Sequence, residues 1–112
     1  MQNQIEKLLE TIKADYLYFT SRGHTKSLSE INERMISEFN EELGYSVGRK
    51  YIKITNRNGG SVWGFVQIED DKKFKAGDIL KAAGWATPAR NSARGNVFKE
   101  YSVSWTGPHY LK

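Results

Sequence analysis

The spacing of apolar residues changes period once, at Gly48, and that change limits the chain to an α+β fold. Before it, Ile5, Leu8, Leu9, Ile12 and Tyr16 recur at steps of three and four, which puts them on one face of a helix. Leu28, Ile31, Met35 and Phe39, with Ile36 and Leu43 alongside, predict a second helix. Ser27-Leu28-Ser29-Glu30 supplies a capping box at its start, and Gly44 is placed to end it in the left-handed conformation. After Gly48 the period is two. Tyr51-Ile52-Lys53-Ile54 alternates, Asn56-Arg57-Asn58-Gly59-Gly60 supplies turn chemistry, and Ser61 to Ile68 reads as a strand. Simple alternation sends Val62, Val66 and Ile68 to one face of that strand and Trp63 and Phe65 to the other. Both faces are therefore apolar. One packs on the helices, and the other calls for a partner chain, another layer or a ligand.

Further along, Asp78-Ile79-Leu80-Lys81-Ala82-Ala83 predicts a returning strand. Thr87 as cap and Pro88 at the first helical position predict a two-turn helix to Arg94, closed by Gly95. Tyr101 to Trp105 alternates as a last strand. The expected architecture is two N-terminal helices packed on a small, mostly antiparallel sheet of three or four strands, with one short helix after Trp85. All 112 residues form one domain, 1–44 a helical pair and 45–112 a strand-rich, basic, ligand-binding part.

Charge divides along the same line. Residues 1–44 carry five basic side chains against eight carboxylates, a net −3, and residues 45–112 carry twelve against five, a net +7. Such asymmetry predicts a basic surface that attracts an anion, against the plainer reading of a solvated basic face. No cysteine is present, which excludes disulfides, thiolate metal sites and cysteine nucleophiles and fits the cytoplasm. Nowhere do some 18 apolar residues run together, so no membrane span is expected, and the N-terminus lacks the pattern of a secretion signal.

The densest chemistry lies in Trp85-Ala86-Thr87-Pro88-Ala89-Arg90-Asn91-Ser92-Ala93-Arg94-Gly95-Asn96. On the expected helix Arg90 and Arg94 share a face, and two guanidiniums side by side suit phosphate. Trp85 is placed to stack on a base, Asn91, Ser92 and Asn96 to hydrogen-bond a base edge or ribose, and Lys81 to extend the basic site. The structural alternative makes Trp85 core and pairs the arginines with Asp78 or Glu100. Trp63 and Trp105 read as packing or interface residues. Arg49, Lys50, Lys53 and Arg57 form a nucleic-acid patch or, alternatively, guard a sheet edge. Catalytic material is thin: His24 and His109 are isolated, Glu69-Asp70-Asp71 reads as a solvated turn rather than a cation site, and no Walker loop occurs. A non-enzyme without metal or cofactor is the expectation.

The segment Tyr51 to Leu111 resembles a widespread group of small bacteriophage proteins. The likeness rests on Ser61-Val62-Trp63-Gly64-Phe65-Val66, Gly77-Asp78-Ile79-Leu80-Lys81-Ala82-Ala83, Trp85-Ala86-Thr87-Pro88-Ala89-Arg90, Ala93-Arg94-Gly95-Asn96 and a closing Tyr110-Leu111. It does not extend to the helical pair. That group is similar to phage sponge proteins, which sequester cyclic nucleotide immune signals and blunt bacterial defence. The resemblance implies a pocket lined by Lys81, Trp85, Arg90, Asn91, Arg94 and Asn96, in a homo-oligomer whose subunits share its walls. Sequestration of a phosphate-containing nucleotide is thus the leading expectation. Rival readings are a single-stranded nucleic-acid binder, an inhibitor gripping a host protein through Trp63, Phe65 and the acidic helices, and, more remotely, an enzyme acting on nucleotides.

Overall fold

The computed structural model describes residues 1–21, 30–90, 92–99 and 101–108. Helix α1 spans Gln2–Thr20 and buries Ile5, Leu8, Leu9, Ile12 and Tyr16, the stripe its spacing predicts. Helix α2 spans Glu30–Glu42; its capping box falls largely outside the described residues. Phe39 and Leu43 are buried and Ile36 packs beside them, but Ile31 and Met35 are 70% and 45% exposed. The predicted stripe is thus only half used. Near its C-terminal end α2 meets the core, where Phe39 stacks on Tyr16 with ring centroids 4.1 Å apart, and the earlier turns stay in solvent. Gly44 does not take a positive φ; the chain passes from the helix into a strand at that residue.

Four strands follow: β1 Gly44–Val47, β2 Tyr51–Asn56, β3 Ser61–Gln67 and β4 Ile79–Lys81. A single 3-10 turn, Arg57–Gly59, joins β2 to β3. They form one sheet in the order β1-β2-β3-β4 with every pair antiparallel, so the chain is an α+β protein with its helices at the N-terminus. A two-stranded hairpin, β5 Val103–Ser104 and β6 Gly107–Pro108, completes the fold, and β5 is shorter than the predicted Tyr101–Trp105 strand.

One register irregularity re-sorts the apolar residues of β3. Ile54 faces Gly64 while Thr55 faces Val62, leaving Trp63 as the extra residue of a β-bulge. A bulge interrupts the two-residue alternation, so side chains on either side of it change faces. Trp63 accordingly joins Val66, Ile68, Ile52, Ile54 and Ile79 in the helix-facing core, while Val62 joins Phe65 on the opposite face. Simple alternation had placed Trp63 with Phe65. Trp63 is 5% exposed, and its indole N–H donates to the Ser104 carbonyl at 2.9 Å, tying the hairpin to the sheet. The same hairpin reaches α1, where the Trp105 amide donates to the Asp15 carboxylate at 2.8 Å and the Trp105 ring meets Tyr16 edge-on.

The second apolar face is covered by the chain's own segment between β3 and residue 96. Phe74 and Leu80 pack on Phe65, with Tyr51, Val62, Ala82 and Ala93 at the edges of the cluster. No short helix occurs there among the described residues. Instead residues 88–89 and 94–96 pair antiparallel along the outer edge of β4. Pro88 bridges Ala82, Ala89 N donates to Lys81 O at 2.6 Å, Ile79 N donates to Gly95 O at 2.8 Å, and Asn96 bridges Asp78. Ala89 stands opposite Lys81 and Arg94 opposite Ile79, so the edge pairing is interrupted between them. The local cap signal at Thr87-Pro88 is overridden by this pairing, which satisfies backbone groups that a two-turn helix would leave open.

Candidate functional site

Once the helix is absent, the expected cluster comes apart. Arg90 reaches across the sheet face instead of standing beside Arg94. Its Nη1 donates to the Tyr51 hydroxyl at 2.5 Å, its Nη2 to Asp71 Oδ2 at 2.7 Å, and the guanidinium lies 4.6 Å from the centre of the Phe74 ring. Arg94 sits along β4, its Nη1 3.4 Å from the carbonyl of Ser92. Asn96 is a clip: its amide nitrogen donates to Ala76 O and Asp78 Oδ1, both at 3.0 Å, and its oxygen accepts from Phe98 N at 2.8 Å. Lys81 alternates with Leu80 and Ala82, which face the second cluster, and so shares the helix-side face with Ile79. Asn91 lies outside the described residues, as do His24 and His109. Of the five expected ligand residues that are described, only Trp85 is exposed, at 56%.

Arg90 finds a partner in Asp71, not in Asp78, and Glu100 lies outside the described residues. Asp71 organises the charged turn after β3. Its Oδ1 accepts from Phe74 N at 2.7 Å and Lys73 N at 2.8 Å, while Oδ2 accepts from Arg90 and from Gln67 Nε2 and lies 3.3 Å from Lys50 Nζ. The Phe74 and Lys73 amides and then Arg90 hold this carboxyl far below the ordinary range, and Asp71 in turn raises the pKa of Arg90. Asp70 serves the same loop by accepting from Ala76 N at 2.7 Å. These carboxylates face amides and cations of their own chain, and among the described residues no acidic or histidine cluster is arranged to hold a metal ion.

A different basic group, seen in the sequence only as a patch, lines a cleft of about 240 Å³ with Ser46, Val47, Gly48, Tyr51, Phe65 and Ala86. Its cations are Arg49, Lys50 and Lys53. Gly48 N donates to Tyr51 O at 2.9 Å, closing the turn that carries Arg49 and Lys50. Lys53 lies on β2, an interior strand, paired with Ser46 on one side and Phe65 on the other, so it guards no edge. Opposite stands the turn 83–87, held by Ala83 N and Gly84 N, which donate to Thr87 O at 2.9 and 3.1 Å. That turn presents Trp85, and Lys53 Nζ rests 4.0 Å from the centre of its ring. Tyr51 and Phe65 meet edge-on at 5.9 Å in the cleft wall.

The cleft therefore joins three cations to an exposed indole face. Within the described chain Lys53 rests on the Trp85 ring, Lys50 lies 3.3 Å from Asp71 Oδ2 and 5.6 Å from the centre of the Tyr51 ring, and Arg49 is exposed and makes no hydrogen bond or ion pair with a described residue. Period-two alternation was the signal available for Lys53 and Phe65 sharing a face, whereas their meeting with Trp85 depends on tertiary structure.

A family model matches residues 1–109, both helices included; its description is a family of unknown function, DUF7717. The chain belongs to DUF7717. No curated protein and no solved structure matches this DUF7717 chain. Among its described residues no helix is long and apolar enough to cross a membrane. Trp63 and Phe65, at 5% and 3% exposure, are core residues and offer nothing to a host protein.

Proposed function

We propose that the chain is a non-catalytic binder of phosphate-bearing nucleotides, acting in the cytoplasm of a phage-infected cell to sequester a cyclic nucleotide signal. One observation supports this above the others: the Lys53 ammonium lies 4.0 Å from the ring of the exposed Trp85, at the border of a cleft that Lys53 lines with Arg49 and Lys50. A nucleotide needs both halves of that arrangement. Its base takes the indole face, and its phosphates take the cations. Asp71 is held ionised, so at neutral pH it has no proton to donate to a bound substrate.

Titration calorimetry against cyclic dinucleotides and cyclic ADP-ribose isomers tests the reading. Saturable binding to one of them, lost in Lys53→Glu, is the expected result; heat from none of them at millimolar concentration overturns it. A second reading, single-stranded nucleic acid, is favoured by the exposed rim from Ser46 to Lys50 and from Trp85 to Thr87, which a continuing strand can follow. That reading predicts affinity that rises with oligonucleotide length and falls steeply with salt, whereas a site for a free nucleotide is indifferent to length.

A further inference from the structure

Among the described residues, strand β1 leaves one side of the sheet open. Its neighbour is β2, and the sheet order ends with it, while the far edge at β4 is occupied by residues 88–96. The open strand, Gly44-Tyr45-Ser46-Val47, contains no charge, no proline and no bulge, the usual devices that keep edges apart. Val47 is 67% exposed. Because Gly48 N donates to the carbonyl of Tyr51 directly opposite, alternation turns the backbone N–H and C=O of Val47 and Tyr45 away from β2, toward solvent.

We infer that this edge pairs with the same edge of a second copy, antiparallel about a two-fold axis at Ser46, and that the pairing joins two basic clefts into one site. The register follows from the free groups. Only a pairing centred on Ser46 lets Tyr45 of each copy exchange both hydrogen bonds with Val47 of the other, satisfying all four outward residues. On the helix side it covers Val47 with Tyr45 of the second copy. The charges agree: the turn bearing Arg49 and Lys50 in each copy comes beside the α2 terminus of the other, with Glu41 and Glu42. A parallel arrangement would instead bring like termini together.

On the opposite face Ser46 is paired with Lys53. The two clefts therefore meet at the axis, with the two copies of Lys53 three strand spacings apart, about 14 Å. Such a site suits a ligand with two phosphates, one for each basic wall. The pairing stands on the edge geometry alone; its use by one shared ligand rests on the nucleotide reading above.

The chain has no cysteine, so Ser46→Cys is a single-cysteine probe. Directly opposed, non-hydrogen-bonded residues in an antiparallel pair lie about 4.5 Å apart at Cα, within disulfide reach. Mild oxidation of the ligand-free protein should give near-complete disulfide-linked dimer for Ser46→Cys, and little for Ser37→Cys on the exposed face of α2. Light scattering at about 100 µM should return twice the 12.8 kDa chain mass for the unmodified protein. Val47→Pro, which removes an outward N–H and leaves the β1–β2 bonds in place, should return the chain mass with an unchanged circular dichroism spectrum. A monomeric unmodified chain, or a Val47→Pro variant that stays dimeric, overturns the pairing. These measurements contain no nucleotide, so they are blind to whether the cleft binds one. A cross-linked dimer taking one cyclic dinucleotide per two chains supports the shared site, and one ligand per chain overturns it.

Discussion

Arg90 and Asp71 meet at 2.7 Å across nineteen residues of chain, and their contact fastens the loop layer onto the sheet face opposite the helices. Phe74 lies under the guanidinium, and Tyr51 accepts its second hydrogen bond, so one side chain links the turn after β3, the start of β2 and the looped-out segment beyond β4. Arg90→Ala should lower the thermal midpoint by roughly 5 °C, and Arg90→Lys should recover little, since an ammonium cannot span a hydroxyl and a carboxylate with one planar fork. The double variant with Asp71→Asn should be less destabilised than the two single effects added, because both act on one contact. Calorimetric melting of the four proteins checks this; strict additivity would place the residues in separate networks.

The same pair predicts acid behaviour. Asp71 has its pKa depressed in the folded state, so its stabilising contribution is complete above the ordinary carboxylate value of 3.8 and is lost as pH falls further. Urea midpoints should therefore decline more steeply below about pH 4 for the unmodified chain than for Asp71→Asn, whose amide does not titrate. The two curves should converge toward pH 2.

Trp85→Ala removes an exposed side chain and should alter folding stability by no more than about 0.5 kcal/mol. Nucleotide affinity should nevertheless fall roughly five- to hundredfold, given ~1–3 kcal/mol for stacking a base on an aromatic ring. Isothermal titration alongside melting separates the two effects. Equal affinity in variant and parent would remove the indole from the site.

Gly64 lies where β3 is crossed closely by both β4 and the C-terminal hairpin. A Cβ there would stand 2.9 Å from Leu80 O and 3.1 Å from Pro108 Cγ, with backbone on one side and a stiff ring on the other. Gly64→Ala should cost about 1–3 kcal/mol, measured by denaturant unfolding. The companion change Pro108→Ala should relieve part of it by clearing one of the two clashes.

The helical half was legible because its signal is local. The α1 stripe needs only its own spacing, and Ile5, Leu8, Leu9, Ile12 and Tyr16 are all buried as that spacing requires. For α2 the spacing offered a stripe through Ile31, Met35 and Phe39 with Ile36 and Leu43 alongside, and only the folded contacts, with Tyr16 among them, show that Ile36, Phe39 and Leu43 reach the core. The strands were visible but the faces of β3 were not, since one unpaired residue at Trp63 reverses the sorting and nothing in the local sequence marks it. Thr87-Pro88 carried a true local preference for a helix start, which lost to pairing with β4, a contact invisible before the chain is folded. The site suffered in consequence: with the helix gone, Arg90 and Asn96 became fasteners, and the cations that do converge came from the β1–β2 turn and from β2.

The strand-like course of residues 88–96 has a consequence for how far such chains can assemble. A ribbon or fibril lengthens only when each unit offers two docking sides, one to be captured by and one to capture the next. Here the chain has stoppered one of them with its own backbone. Templating through the remaining side exhausts itself after a single event, so a chain that associates through β1 stops at a pair instead of polymerising.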